Sequence, residues 1–176
     1  MIEGEPPSTT ISDDSDAQAA VDATHWFDQV WRACYRDLEG CELDDFAEAS
    51  AGPQLSRAKR IFQEQIDRGE TIDSGAAPAE YRAISVKKSD VSDIKFGVLE
   101  CTRNYFVVRN AGGEVIDDTS PAILSLRLVE RDSDDRWYVV ESVEVSRFQP
   151  ASEGGDACLM FDGSEATDQV FDELVN

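Results

Sequence analysis

The stretch Tyr81 to Val145, YRAISVKKSDVSDIKFGVLECTRNYFVVRNAGGEVIDDTSPAILSLRLVERDSDDRWYVVESVEV, decides the fold. Tyr81 to Lys87 and Ile94 to Cys101 are rich in β-branched and aromatic residues, and Ser89 to Ser92 joins them as a turn. Tyr105 to Arg109 continues the second run after a break at Thr102-Arg103-Asn104. Asn110-Ala111-Gly112-Gly113 carries hairpin-turn chemistry and returns the chain through Val115 and Ile116. Ile123 to Arg131 and Arg136 to Val145 form a last hairpin, closed by Asp132-Ser133-Asp134-Asp135. Within it Leu124, Leu126 and Leu128 alternate with Ser125, Arg127 and Val129, so one face is buried and the other partly wet.

Before this meander the pattern is helical. Ala20, Ala23, Phe27, Val30, Cys34 and Leu38 recur at three- and four-residue steps from Ala17 onward, and Gly40 marks the stop. Asp13, Asp14 and Asp16 place negative charge at the helix start, where cap and dipole both favour it. A short helix follows over Leu43 to Ala49. Pro53 opens another, with Leu55, Ala58, Phe62 and Ile66 on one face and Gly69 past its end. Thr71 to Ser74 reads as a short strand. Helices first and a meander after give an α+β domain, with the helices packed on a bent antiparallel sheet. Residues 1-15 read as a disordered acidic segment, 16-148 as the domain and 149-176 as a C-terminal extension, in which Val170-Phe171 and Leu174-Val175 suit a short docking helix or a frayed tail.

Charge limits the partners. The chain of 176 residues carries 37 Asp+Glu against 16 Lys+Arg, a net charge of −21. Such a field repels phosphate backbones, so no nucleic-acid partner is expected. No apolar run approaches the ~20 residues of a membrane span. The basic cluster Arg57, Lys59, Arg60 and Arg68 reads as a solvated helix face balanced by acids, or as a docking site for an anion. The N-terminus lacks the basic and apolar regions of a signal peptide, which taken literally indicates the cytoplasm. Yet EGEPPSTTISDDSD, residues 3 to 16, is tether-like and would suit a mature envelope protein. The four cysteines, Cys34, Cys41, Cys101 and Cys158, form no CxxC pair, and the chain has one histidine, so no metal site is expected. A Cys34 to Cys41 bridge needs the chain to turn back after Gly40; a Cys101 to Cys158 bridge would staple the tail to the sheet; free buried thiols are the alternative.

Val98-Leu99-Glu100-Cys101, Tyr105-Phe106-Val107-Val108, Glu114-Val115-Ile116-Asp117-Asp118, Ala122 to Arg131 and Arg136-Trp137-Tyr138-Val139-Val140 together resemble the NTF2-like (cystatin-like α+β cone) superfamily. More closely, the layout looks like that of small actinobacterial NTF2-like lipoproteins and envelope proteins of unknown function. The resemblance spans about residues 17 to 147. It implies a cone with a mouth between the helices and the concave sheet, and it makes Cys101 and Cys158 a candidate bridge. It also implies homodimerisation through the sheet, whose free face something must cover.

Enzymes of that fold place an acid–base pair in the cone mouth, which makes His25, Tyr35, Tyr105 and Glu100 (or Asp45) the candidate catalytic groups. Nothing in their spacing requires them to converge. Trp26, Phe27 and Trp31 either line a ligand pocket or fill the helix–sheet core. No cofactor motif is present. With no convergent catalytic set, the sequence reads as a non-enzymatic binding or accessory domain, for a protein partner or a small apolar ligand, at the cell envelope if a leader was removed. The alternatives are a small isomerase- or dehydratase-like enzyme with its site in the cone, and an acidic cytoplasmic inhibitor or decoy of a basic partner.

Overall fold

The computed structural model describes residues 11–74, 79–149, 157–161 and 168–176. Helix α1 (Ser15–Arg36) is followed by a 3-10 helix (Leu43–Glu48) and helix α2 (Gly52–Asp67). Asp14 caps α1: its carboxylate accepts from the backbone N–H groups of Asp16 and Ala17, two of the donors a helix start leaves unmatched. Of the segment 1–15 expected to be disordered, Ile11 packs against the core and Asp14 caps the helix, while residues 1–10 lie outside the described residues. Gly69, at φ 63°, ends α2 in the left-handed conformation that glycine adopts at least cost.

Seven strands follow: β1 (Thr71–Ser74), β2 (Glu80–Lys88), β3 (Lys95–Arg103), β4 (Phe106–Arg109), β5 (Val115–Asp117), β6 (Ala122–Arg131) and β7 (Trp137–Phe148). They form an antiparallel sheet in the order β2-β3-β6-β7 and a smaller one in the order β1-β4-β5. Since β4 and β5 continue β3 and β6 beyond short breaks, the small sheet extends the central hairpin. Two register shifts between β6 and β7, at Leu124/Ser125 and Leu128/Val129, add the bulges that bend a sheet.

Side chains alternate across the sheet, and the register decides which ones meet the helices. Glu100 pairs with Ser125 and Ser125 with Glu144; Thr102 pairs with Ile123 and Ile123 with Arg147. On this concave side Phe96, Val98, Val129 and Val139 join Phe27, Val30, Phe46 and Phe62 in one core. The Phe46 and Phe62 ring centroids lie 5.2 Å apart, and those of Trp31 and Phe62 lie 4.9 Å apart.

The leucine row of β6 points the other way. Leu124, Leu126 and Leu128, with Leu99 and Cys101, form a second core on the convex side, closed by Ala157, Cys158, Phe161, Phe171 and Val175 of the C-terminal segment. Both faces of the central hairpin are therefore covered, where alternation alone left one partly wet. Helix α3 (Asp168–Val175) docks over Gly97, where an added Cβ would lie 2.5 Å from Cζ of Phe171, so only a glycine admits the helix this closely. Both disulfides are formed, Cys34–Cys41 and Cys101–Cys158, and the second fixes the C-terminal segment to β3. The convex face of the central hairpin is in this way covered by the chain itself. Among the described residues, no helix is long and apolar enough to cross a membrane.

Candidate functional site

Between the two helices and the concave sheet lies a half-open cavity of about 370 Å³. Helix α1 contributes Phe27, Asp28, Trp31 and Tyr35, whose three- and four-residue steps put them on one helical face. From α2 come Gln54, Arg57 and Ile61, again at helical spacing. The floor is the concave side of the sheet, with Thr102, Ile123, Ser125 and Arg127 at its centre and Ser142, Glu144 and Arg147 along β7. Phe106 and Val108 of β4 close the end where the sheet bends away.

The deep end of the cavity is charged but internally matched. Arg127 Nε donates to Glu100 Oε1 at 2.5 Å, with the Glu100 side chain fully buried and the Arg127 guanidinium 4.9 Å from the centroid of the Phe27 ring. Asp28 pairs with Arg32, one helical turn on. At the rim Arg147 grips Glu144 through two hydrogen bonds of 2.9 and 2.8 Å, which holds the Glu144 carboxyl below its usual range. Burial pushes the Asp28 carboxyl up to about 7, with Glu100 adding to the effect and Arg32 opposing it. Burial likewise pushes the Tyr35 phenol up.

Asp28 therefore couples stability to pH. The folded protein keeps its proton up to about pH 7, whereas the unfolded chain releases it near 3.8. Between those values the folded state binds more protons, so this group's contribution to stability falls as pH rises and levels off above the folded value. Asp28→Asn is expected to shrink the difference in urea stability between about pH 5 and about pH 8, and an unchanged difference would contradict the assignment.

The candidate catalytic residues do not converge on this cavity. His25 is buried and stacked on Tyr81, with centroids 4.3 Å apart, and burial followed by the Arg32 charge lowers its pKa. It reads as a packed core histidine. Glu100 lies under the floor, held by Arg127. Tyr105 sits on the other side of the sheet, where its hydroxyl donates to Glu80 Oε1 at 2.9 Å and its ring lies 4.4 Å from the Arg103 guanidinium. Asp45 is on the 3-10 helix, away from the lining. Of the four catalytic candidates only Tyr35 lines the cavity. Phe27 and Trp31 line it too, while Trp26 packs against the core edge without reaching it. The basic face of α2 is mostly balanced: Lys59 pairs with Asp44, Arg60 with Glu64, and Arg68 with Glu70. Arg57 is the exception, reaching into the cavity with a 3.4 Å hydrogen bond to the Ser142 carbonyl.

Asp28 and Gln54 are among the lining residues that sequence reasoning passed over. Their signal was legible: each is a polar residue within the buried face of a helix, and Asp28 has a cation at i+4. Among the described residues no group of three His, Cys, Asp or Glu side chains could hold a metal ion. The arrangement can enclose a small molecule, offer it an aromatic wall and neutral hydrogen-bonding groups, and exchange a proton at Asp28 near neutral pH.

No family model matches the sequence, and no curated protein matches it. Solved structures do. The intermembrane space region of chloroplast protein ARC6 superposes with a TM-score of 0.57 at 14% identity, over 78% of this chain and 99% of that one. A ketosteroid isomerase-like protein from Erwinia carotovora atroseptica SCRI1043 matches with a TM-score of 0.44 at 13% identity, over 76% of this chain and 98% of that one. At 14% identity the likeness to ARC6 establishes fold alone. That fold has helices seated in the concave side of a bent antiparallel sheet, the α+β architecture expected from the sequence.

Proposed function

We propose that this protein is a non-enzymatic binding domain whose ligand seat is the cone cavity, working at the cell envelope. The observation that carries the reading is the cavity itself. Three aromatic side chains of α1 and a ring of β4 line about 370 Å³ of space instead of filling it, within the range typical of ligand pockets. The envelope placement draws on the two disulfides, which suit an oxidising compartment. A fold shared with an intermembrane space region is compatible with it.

Ligand-observed NMR of the full chain against a chemically mixed fragment set tests the reading. Several fragments are expected to bind the wild-type protein and to lose binding in Ile123→Trp, which fills the floor. Absence of any binding, or hits that persist unchanged in the filled variant, would refute it.

One observation favours a second reading, the isomerase- or dehydratase-like enzyme. Asp28, two turns before Tyr35 on the same helix face, is a carboxyl poised to exchange a proton near neutrality at the cavity wall. That reading requires turnover of a cavity-bound carbonyl compound that disappears in Asp28→Asn.

A further inference from the structure

We infer that the cavity takes a neutral ring molecule bearing several hydroxyl groups, a saccharide or other cyclic polyol, in preference to a purely apolar ligand. The inference deepens the proposed binding function and rests on it. Twelve of the twenty lining residues are polar, so a hydrocarbon would strand most of the groups it touched. The decisive ones are Gln54, Thr102 and Ser125. They are only 4, 7 and 5 % exposed, yet their side chains make no hydrogen bond to the described protein. Asn104, on the same wall, keeps a buried Oδ1 without a partner. Buried polar groups in folded proteins are nearly all hydrogen-bonded, and each one left unmatched carries a desolvation cost. Asn104 Oδ1 carries that cost outright, while the polar atoms of Gln54, Thr102 and Ser125 open onto the cavity, so a ligand that supplies partners there meets all four.

Their placement suits a ring. Thr102 pairs across the strands with Ile123, and Ser125 with Glu100, so the two hydroxyls are diagonal neighbours on one sheet face. Such diagonal positions stand about 7–8 Å apart, within reach of opposite sides of one sugar ring. Gln54 approaches from α2 with both a donor and an acceptor. Trp31, Tyr35 and Phe106 form a continuous aromatic wall beside them, with centroid separations of 6.1 and 4.7 Å, against which the C–H face of a pyranose can lie.

Charge selects for neutrality. Of the three lining cations, Arg57 is held by the Ser142 carbonyl, and the lining also carries the carboxyls of Asp28 and Asp117. Arg127 and Arg147 are engaged by Glu100 and Glu144, so the cavity calls for little countercharge. Their pairs still offer hydroxyl groups charge-assisted hydrogen bonds. The overall charge of −21 disfavours anionic sugars on approach.

Saturation-transfer NMR on the full chain, with methyl pyranosides, neutral disaccharides and myo-inositol beside apolar aromatic fragments, tests the inference. At least one polyol is expected to bind with a Kd of about 1 mM or tighter and to weaken roughly tenfold in Gln54→Leu and in Ser125→Ala. Ligand-free Gln54→Leu is expected to melt no lower than wild type, because the Gln54 amide opens onto the cavity and makes no hydrogen bond to the described protein. A merely structural glutamine would make it melt lower, and Ser125→Ala reads the same contrast if the leucine variant misfolds. Apolar fragments that bind in the cavity while no polyol does would overturn the inference and leave the ligand seat standing. Binding by neither class would overturn both.

Discussion

Replacing Cys101 and Cys158 together by serine is expected to lower stability by about 4 kcal/mol, against about 2.5 kcal/mol for the Cys34–Cys41 pair, on loop-closure entropy. The contrast comes from sequence separation, 57 residues for the first bridge and 7 for the second. The longer loop restricts the unfolded chain more, and only its bridge ties the C-terminal segment to the sheet. Cys158 is anchored there twice more: its N–H donates to Glu80 Oε2 at 3.2 Å, and its carbonyl accepts from Arg82 at 3.1 Å. Loss of the bridge loosens the cover over Leu99, Leu124, Leu126 and Leu128. For a chain of this size the larger loss corresponds to roughly 8–16 °C in melting temperature. Urea denaturation of the two double variants checks the order, and equal losses would contradict it. Protein taken from its native source and alkylated without reduction is expected to show no reactive thiol. Four alkylated cysteines there would instead place the chain in a reducing compartment and remove the envelope reading.

Glu100→Ala is expected to destabilise the protein by about 3–5 kcal/mol, because it strands a cation in the interior. The carboxylate is 0 % exposed and Arg127 is 11 % exposed, so water reaches the cation only from the cavity side and replaces the carboxylate poorly. Removing both charges is a different matter. A matched pair costs so much to desolvate that Glu100→Leu with Arg127→Leu is expected to lie much closer to wild type than Glu100→Ala does. Glu100 Oε2 has no hydrogen-bond partner, which adds to what the pair costs as it stands. Chemical denaturation of the single and double variants decides the matter. A double variant as unstable as Glu100→Ala would mean that packing, not the buried charge, sets the loss.

The architecture was legible because local chemistry and global fold agree. Asn110-Ala111-Gly112-Gly113 turns where its residue types demand, and Gly113 takes the positive φ that the turn requires. Alternation in β6 separated Leu124, Leu126 and Leu128 from Ser125 and Arg127 correctly, but a period of two does not say which face meets which layer. The leucines face the C-terminal segment, and the polar set lies under the helices, because the site occupies that face. The same logic explains why His25, Glu100 and Tyr105 misled. Each bears reactive chemistry, but whether such groups share a cavity depends on register and on which side of β3 they emerge. Glu100 emerges on the concave side and is neutralised there, and Tyr105 belongs to the opposite side. Gln54 carries no catalytic reputation, yet it is a largely buried amide that faces the cavity. Only the three-dimensional hydrogen-bond accounting brings it forward.

The most direct test of the cavity as ligand seat is an amide nitrogen–proton correlation spectrum of the labelled full chain, recorded with and without the tightest-binding fragment. The account predicts shifts clustered at Trp31, Gln54, Phe106, Ser125 and Ser142, the walls and floor of the cone. Shifts confined to the exposed β5 edge at Val115 and Ile116, or to the convex face under α3, would contradict it.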